Sequence, residues 1–265
     1  MIISHKYRFI FIHCRKVAGS AIKTTLWPHL GPDDIMIGSL DEVLQRGGQL
    51  NRAARKAMRH PRALNVTRKA ALERWQHGDT ARYRNLVNTA VKARYRRSLF
   101  RNPVHPPAES AKAMFPHEWE NYFKFCFVRN PYEQALSEYS HQKRNSGREF
   151  DFVYFLKALS GEIEDRDIMP SGLTSNWPLY TINDQVAVDH VGRYENLEED
   201  FAWLCEQLGI HYQGRLHEEK VEKHRRTKKL HDWYDEGSVE RVHKLYSKEV
   251  EYFSVPSPVD EKPME

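Results

Sequence analysis

Cysteine is scarce: Cys14, Cys126 and Cys205 are the only three in 265 residues. They stand far apart with no CxxC pair, so nothing signals a disulfide framework or a thiolate metal site. Cys14 and Cys126 lie in or at the end of apolar runs, and all three read as buried, reduced thiols suited to a cytoplasmic setting. No stretch approaches the roughly 20 apolar residues of a membrane helix. The opening MIISHKYRFIFIHC is too short in its apolar part, and too interrupted by charge, for a secretory signal. The expectation is a soluble protein without an integral membrane segment. The 14 histidines show no metal-ligand spacing, so no metal is expected. Internal repeats and recognisable nucleic-acid modules are also missing, and so is the GxxxxGK[ST] loop that a nucleoside-triphosphate kinase or ATPase would need.

What is present bounds the answer further. A chain of 265 residues, 40% of them hydrophobic, can bury one sizeable core, and residues 1–265 read as a single elaborated domain. The formal charge of +5 is unevenly spread: residues 46–101 hold sixteen Lys/Arg against two acids, Glu73 and Asp79, a net of +14 that leaves −9 for the rest. Residues 41–101 form a basic, helical insertion rich in Ala, Leu, Arg and Lys, weakly punctuated at Gly47-Gly48, Pro61 and Gly78. Three readings fit it: a surface for an anionic acceptor such as an acidic polysaccharide, peripheral contact with an anionic membrane, or a solvated insertion. The sign asymmetry favours the first.

Arg8–His13 is a short aromatic and β-branched run, continuous rather than alternating, as in a strand buried on both faces. Gly19 and Ser20 follow it, then helix-compatible spacing over Ala21–Leu26. A second short strand is expected at Asp34–Ile37, a loop at Arg101–Pro107, a helix from Ala108 to Met114, and a strong strand at Tyr122–Val128. Asn130-Pro131 supplies a cap and a proline for the first helical position, opening a helix to about Lys143. Further expectations are a helix at Phe152–Leu159, a polar loop at Gly161–Asn176, a strand at Gln185–Val191, a helix at Leu197–Leu208, a basic loop at Lys220–Lys229 and a terminal helix at Ser238–Tyr252. Strands separated by helices argue for a three-layer α/β fold with a central, mainly parallel sheet.

Two stretches carry chemistry. In His13-Cys-Arg-Lys-Val-Ala-Gly-Ser-Ala21, between a strand and a helix, backbone N–H groups and the positive helix end face a phosphate-like anion. Gly19 permits close backbone approach, Ser20 adds a hydroxyl, and Lys16 brings a mobile charge to a bridging oxygen. The bland alternative is an ordinary strand–turn–helix with Arg15 and Lys16 solvated. In the second stretch, Phe125–Tyr139, Arg129 leaves the carboxyl end of a strand, where open α/β sheets bind ligands. Ser137, seven residues beyond the Asn130 cap, falls on the cap's face of the helix. An arginine fork and a serine hydroxyl there can hold a terminal phosphate; otherwise the feature is a capped helix with an incidental arginine.

Together the stretches resemble the membrane-type carbohydrate sulfotransferases. That family joins a strand to a Pro-Lys-x-(Gly/Ala)-(Gly/Cys)-(Ser/Thr) loop and places an Arg-(Asp/Asn)-Pro with a later serine after a second strand. Here the counterparts are Arg15-Lys16-Val17-Ala18-Gly19-Ser20 and Arg129-Asn130-Pro131 with Ser137; Arg15 stands where proline is commoner. Val188–Asp200 and Tyr246–Phe253 are similar to later parts of the family pattern, so the likeness covers about residues 7–30 and 102–253. The basic loop Lys223–Lys229 matches only loosely.

The resemblance implies a P-loop-containing nucleotide-binding fold and the donor 3′-phosphoadenosine-5′-phosphosulfate (PAPS), with PAP as product and a hydroxylated, carbohydrate acceptor. Lys16 would serve the leaving oxygen, Val17, Ala18, Gly19, Ser20 and Ala21 the 5′-phosphate beside Arg15, and Arg129 and Ser137 the 3′-phosphate. Arg193 and Tyr194 would border the nucleotide, although Arg193 could equally pair with Glu195 or Glu198, and Trp177 could stack on adenine or belong to the core. A general base is needed for the acceptor hydroxyl. His105 sits where some relatives carry a catalytic histidine; His117, Glu109 and Glu118 are rivals. The competing functions are a small-molecule kinase and a non-catalytic nucleic-acid binder using residues 46–101.

Overall fold

Apolar runs without alternation become strands buried on both faces, and here they build one sheet. The computed structural model describes residues 1–99, 102–168, 175–212, 214, 216 and 229–260. Its strands are β1 (Ile2–Ser4), β2 (Phe9–Ile12), β3 (Ile35–Met36), β4 (Phe123–Val128), β5 (Thr181–Ile182), β6 (Gln185–Val186) and β7 (His190–Arg193). The helices are α1 (Gly19–Leu26), α2 (Leu40–Gln45), α3 (Arg52–Met58), α4 (Leu64–His77), α5 (Ala81–Tyr95), α6 (Ala108–Met114), α7 (Pro116–Asn121), α8 (Pro131–Ser146), α9 (Phe152–Leu159), α10 (Trp177–Tyr180), α11 (Leu197–Gln207), α12 (Glu236–Leu245) and α13 (Ser247–Tyr252). The chain divides into two compact units, Met1–Phe127 with Pro178–Glu219 and Val128–Trp177 with Lys220–Glu265.

The first unit holds the sheet, ordered β3-β1-β2-β4-β7. All four residues of β2 are buried, as are the last four of β4. β1 is antiparallel to both neighbours, whereas β2 and β4 pair in parallel from Phe9↔Phe123 to Ile12↔Cys126. Asp189 N–H donates to the Lys124 carbonyl at 2.8 Å, and three residues on, Gly192 lies against the Phe127 ring. β7 therefore runs along β4 in its direction. The sheet is mainly parallel, as expected of an α/β chain, with β1 as the opposed strand. Its near end is tied by Asp34, whose buried carboxylate accepts from the Ser4 hydroxyl (2.6 Å) and from the N–H groups of Gly31 (2.8 Å), His5 (2.7 Å) and Lys6 (3.1 Å).

The basic segment is helical, as expected, and folds as α2–α5 around a small cluster of Ala70, Tyr83 and Val87 with Leu44, Leu50, Met58 and Leu86 against it. Two sequence expectations change. The run Gln185–Val191 is not one strand: β6 closes a hairpin with β5, through Asn183 and Asp184 at φ 52° and 61°, and β7 begins only after Asp189. Two successive left-handed residues are the signature of a tight hairpin turn, and the Asp189 carboxylate is spent on Lys124 N–H at 2.7 Å. The terminal helix also breaks in two at Tyr246, a buried ring with φ −125°. The basic loop of residues 220–228 and Arg101 lie outside the described residues, as do residues 169–174 of the expected loop 161–176.

In the second unit, Asn130 caps α8 by accepting from Tyr132 N–H at 2.9 Å, Pro131 takes the first helical position, and Gly147 ends the helix at φ 64°. Tyr132, Leu136 and Tyr139 of α8 pack with Phe152, Phe155 and Leu156 of α9 and with Val242 and Tyr246 near α12. Glu249 Oε1 accepts from the Ser175 hydroxyl (2.6 Å) and from the N–H groups of Asn176 (2.9 Å) and Trp177 (3.0 Å).

Candidate active site

The residues between β2 and α1 hold a conformation that most side chains avoid. Lys16 and Ala18 have φ of 62° and 56°, the left-handed region, which costs a non-glycine residue about 1–3 kcal/mol. Ala18 is the residue before α1, and no side chain caps that helix, nor does an acid lie in its first turn. The first N–H groups of a helix lack intrahelical acceptors. A strained turn that aims such groups outward forms an anion-binding concavity, reinforced by the helix dipole.

The ring of His13 lies directly under this turn. A Cβ built on Gly19 would stand 1.8 Å from His13 Nε2 and 1.9 Å from Cδ2, so only glycine fits. His13 is buried, its Nδ1 has no hydrogen-bond partner among the described residues, and its ring centroid is 4.4 Å from that of His105. His105 Nδ1 lies 2.7 Å from the His13 carbonyl oxygen. A carbonyl only accepts, so Nδ1 carries the proton and Nε2 keeps its lone pair. Burial, above all, holds both imidazoles well below the usual histidine value, and the Lys23 ammonium works in the same direction. His105 is thus a neutral imidazole in a fixed tautomer, the form that can accept a proton.

Lys23, on α1, is fully buried and donates to the Ile37 carbonyl at 3.1 Å. The Ser20 hydroxyl is 3.1 Å from that of Ser39 and donates to Glu42 Oε1 at 3.4 Å, so the start of α2 closes one side of the loop. Of the rival bases, Glu118 approaches His5 at 4.0 Å, while His117 and Glu109 are exposed on α7 and α6. Both Glu118 and His117 lie on the helix that leads into the amino end of β4. His105 is tied to the loop by its bond to the His13 carbonyl.

The parallel strands β2, β4 and β7 send their carboxyl ends the same way, and each is followed by residues singled out from sequence. Arg193 ends β7; its N–H donates to Asp200 at 2.6 Å, turning the chain through Tyr194 into α11. Arg129 follows β4 directly. In its own unit Arg129 is only 6% exposed and its Nη2 donates to Glu133 at 2.9 Å. Ser137 is buried four residues beyond Glu133, so Glu133 and Ser137 fall in one row of α8. Trp177 is buried with its ring against Tyr252 at 5.3 Å, a core position.

Sequence reasoning missed His13, Lys23, Glu42 and Glu133 as parts of these arrangements. Only Glu133 left a readable trace, four residues after an arginine at the start of a capped helix. Among the described residues, no group of three or more His, Cys, Asp or Glu could hold a metal ion, and no helix is long and apolar enough to cross a membrane. The three cysteines are buried and none of them forms a disulfide.

Comparison with known proteins gives this geometry a family. Over 96 residues the chain is 36% identical to an uncharacterized protein of Archaeoglobus fulgidus, covering 35% of this chain and 72% of that one. Over 186 residues it is 25% identical to carbohydrate sulfotransferase 14 of Danio rerio, covering 59% of this chain and 45% of that one. The chain thus spans less than half the length of the zebrafish enzyme. No solved structure matches. The model of the Sulfotransferase family, however, matches residues 1–255, from before the first strand to beyond the last helix. On that match the chain belongs to the sulfotransferase family and is a transferase.

Proposed function

We propose that the protein transfers a sulfuryl group from PAPS to a hydroxyl of a carbohydrate acceptor and releases PAP, on a nucleotide-binding fold of the P-loop type. The observation that carries this reading is the strained turn at Lys16 and Ala18 ahead of an uncapped helix, fitted over His13 through a glycine. It is a concavity suited to an anion, next to a neutral imidazole. The carbohydrate acceptor draws support from the likeness to the zebrafish enzyme.

PAPS supplies an activated sulfuryl group and a stable leaving phosphate. The N–H groups of Val17–Ala21 receive the 5′-phosphate, with Arg15 adding positive charge. The Lys16 ammonium offsets the charge that grows on the leaving oxygen, the largest kind of contribution to such transfers. Arg129 and Ser137 take the 3′-phosphate, and Arg193 and Tyr194 border the nucleotide. His105 Nε2 accepts the proton of the acceptor hydroxyl while Nδ1–H stays bound to the His13 carbonyl, so the ring keeps its orientation through the step.

The 3′-phosphate provides the test. PAP should raise the melting temperature well above the effect of ADP at equal concentration, because it alone offers a 3′-phosphate to Arg129. Arg129→Ala should erase most of the difference. Equal protection of the wild-type chain by PAP and ADP would overturn the donor assignment.

A further inference from the structure

Helix α4 carries a surface that sulfuryl transfer does not use. Ala70 and Glu73 form its packed face. On the opposite face Leu64, Arg68, Leu72 and Trp75 recur at intervals of four, four and three, which places them in one stripe along the helix. Leu64 is 39% exposed, Leu72 52% and Trp75 83%. Scattered exposed apolar residues need no explanation, but a line of two leucines and a nearly bare indole does.

The surroundings are cationic. Arg55 and Lys56 of α3, Arg59 and Arg62 in the connection, and Arg68 and Lys69 of α4 are all exposed. The two acids of residues 46–101 are occupied elsewhere. Glu73 is buried, accepting from Thr80 at 2.9 Å and pairing with Arg82 at 3.5 Å; Asp79 pairs with Arg84 at 3.4 Å. Beside α3 the Asp33 carboxylate is taken by Arg52, and along α4 itself the single acid, Glu73, is on the packed face.

We propose that α4 docks flat on an anionic lipid bilayer. Trp75, Leu72 and Leu64 enter the boundary between head groups and acyl chains, and Arg68, Lys69 and the α3 cations meet lipid phosphates. From Leu64 to Trp75 the stripe is about 16 Å long, too short to cross a bilayer and suited to lying in its surface. An acidic polysaccharide would satisfy the cations but leave both leucines in water, and this apolar line decides for the bilayer. The inference does not depend on the donor or acceptor assigned above.

The test is co-sedimentation of the full chain with vesicles of phosphatidylcholine alone, or with roughly a third phosphatidylglycerol. Binding should require the anionic lipid and weaken with salt. Leu72→Ser with Trp75→Ser should reduce it about tenfold or more while leaving thermal unfolding unchanged, because both side chains lie outside the core. Arg68→Glu with Lys69→Glu should reduce it similarly. Equal binding to both vesicle types, or equal binding by the wild type and the serine variant, would overturn the proposal. So would heparin binding that needs Trp75 in a chain that ignores vesicles.

Discussion

Replacing Gly19 with alanine asks whether the loop and the His13 ring form one mechanical piece. On helix propensity alone the change should stabilise, by about 1 kcal/mol, since Gly19 opens α1 and its φ is not positive. The steric effect opposes this and is larger. The new methyl would stand 1.8 Å from His13 Nε2, about half the separation of atoms in contact. The ring cannot swing aside freely, because Phe11 stacks on it at 5.9 Å and His105 lies at 4.4 Å. Overpacking costs about 1–3 kcal/mol, and a clash with ring atoms belongs at the upper end. The net loss should be about 2 kcal/mol, a fall in Tm of about 4–8 °C for a chain of this size. In a His13→Ala background the obstacle is gone, and Gly19→Ala should become neutral or stabilising. Urea denaturation of the four proteins then gives a coupling of about 2–3 kcal/mol. An additive cycle, with Gly19→Ala costing the same in both backgrounds, would refute the reasoning.

Other predictions follow from the same region and its supports. His105→Ala should lower kcat by about 10²–10⁴. Because burial depresses the His105 pKa, the wild-type rate should be level between about pH 7 and 8 and fall only on the acid side of the usual 6.5; a profile still climbing at pH 8 would assign the base elsewhere. Folded-state values below the unfolded ones for His13 and His105 mean that their contribution to stability is fully present above about pH 6.5 and is lost as pH falls toward the folded values. Urea midpoints should drop through that window, and less steeply in His13→Ala with His105→Ala. Asp34→Ala strips the acceptor from one hydroxyl and three N–H groups and should cost about 3–5 kcal/mol, with Asp34→Asn losing less; similar urea midpoints for wild type and Asp34→Ala would show the knot to be dispensable.

The sheet was legible where burial on both faces leaves a plain mark. Phe9–Ile12 and Phe123–Val128 contain no polar alternation beyond Lys124, and both are strands. The α8 start was legible because Asn130-Pro131 is a local device. What escaped depends on contacts between distant residues. His13 stood in view as the first residue of the loop motif, yet its meaning lies in the space beneath Gly19 and in a bond to a histidine 92 residues away. Lys23 has no sequence mark that sets it apart from other helix lysines, yet it is fully buried. The run Gln185–Val191 looked continuous because apolar residues flank Asp189 on both sides; the hairpin at Asn183-Asp184 and the capture of Lys124 N–H by that aspartate outweigh the pattern.

The position of β7 bears on how the chain is made. β4 is paired on one side by β2, which precedes it, but on the other by β7, which emerges from the ribosome only after residue 190. At about 5–20 residues per second, the edge of Phe-Lys-Phe-Cys-Phe-Val waits several seconds for its partner during synthesis. An apolar strand with an open edge is a template for pairing with another copy. Nascent or truncated chains that stop before β7 should therefore need chaperone cover, and expression yield should fall off sharply at that boundary.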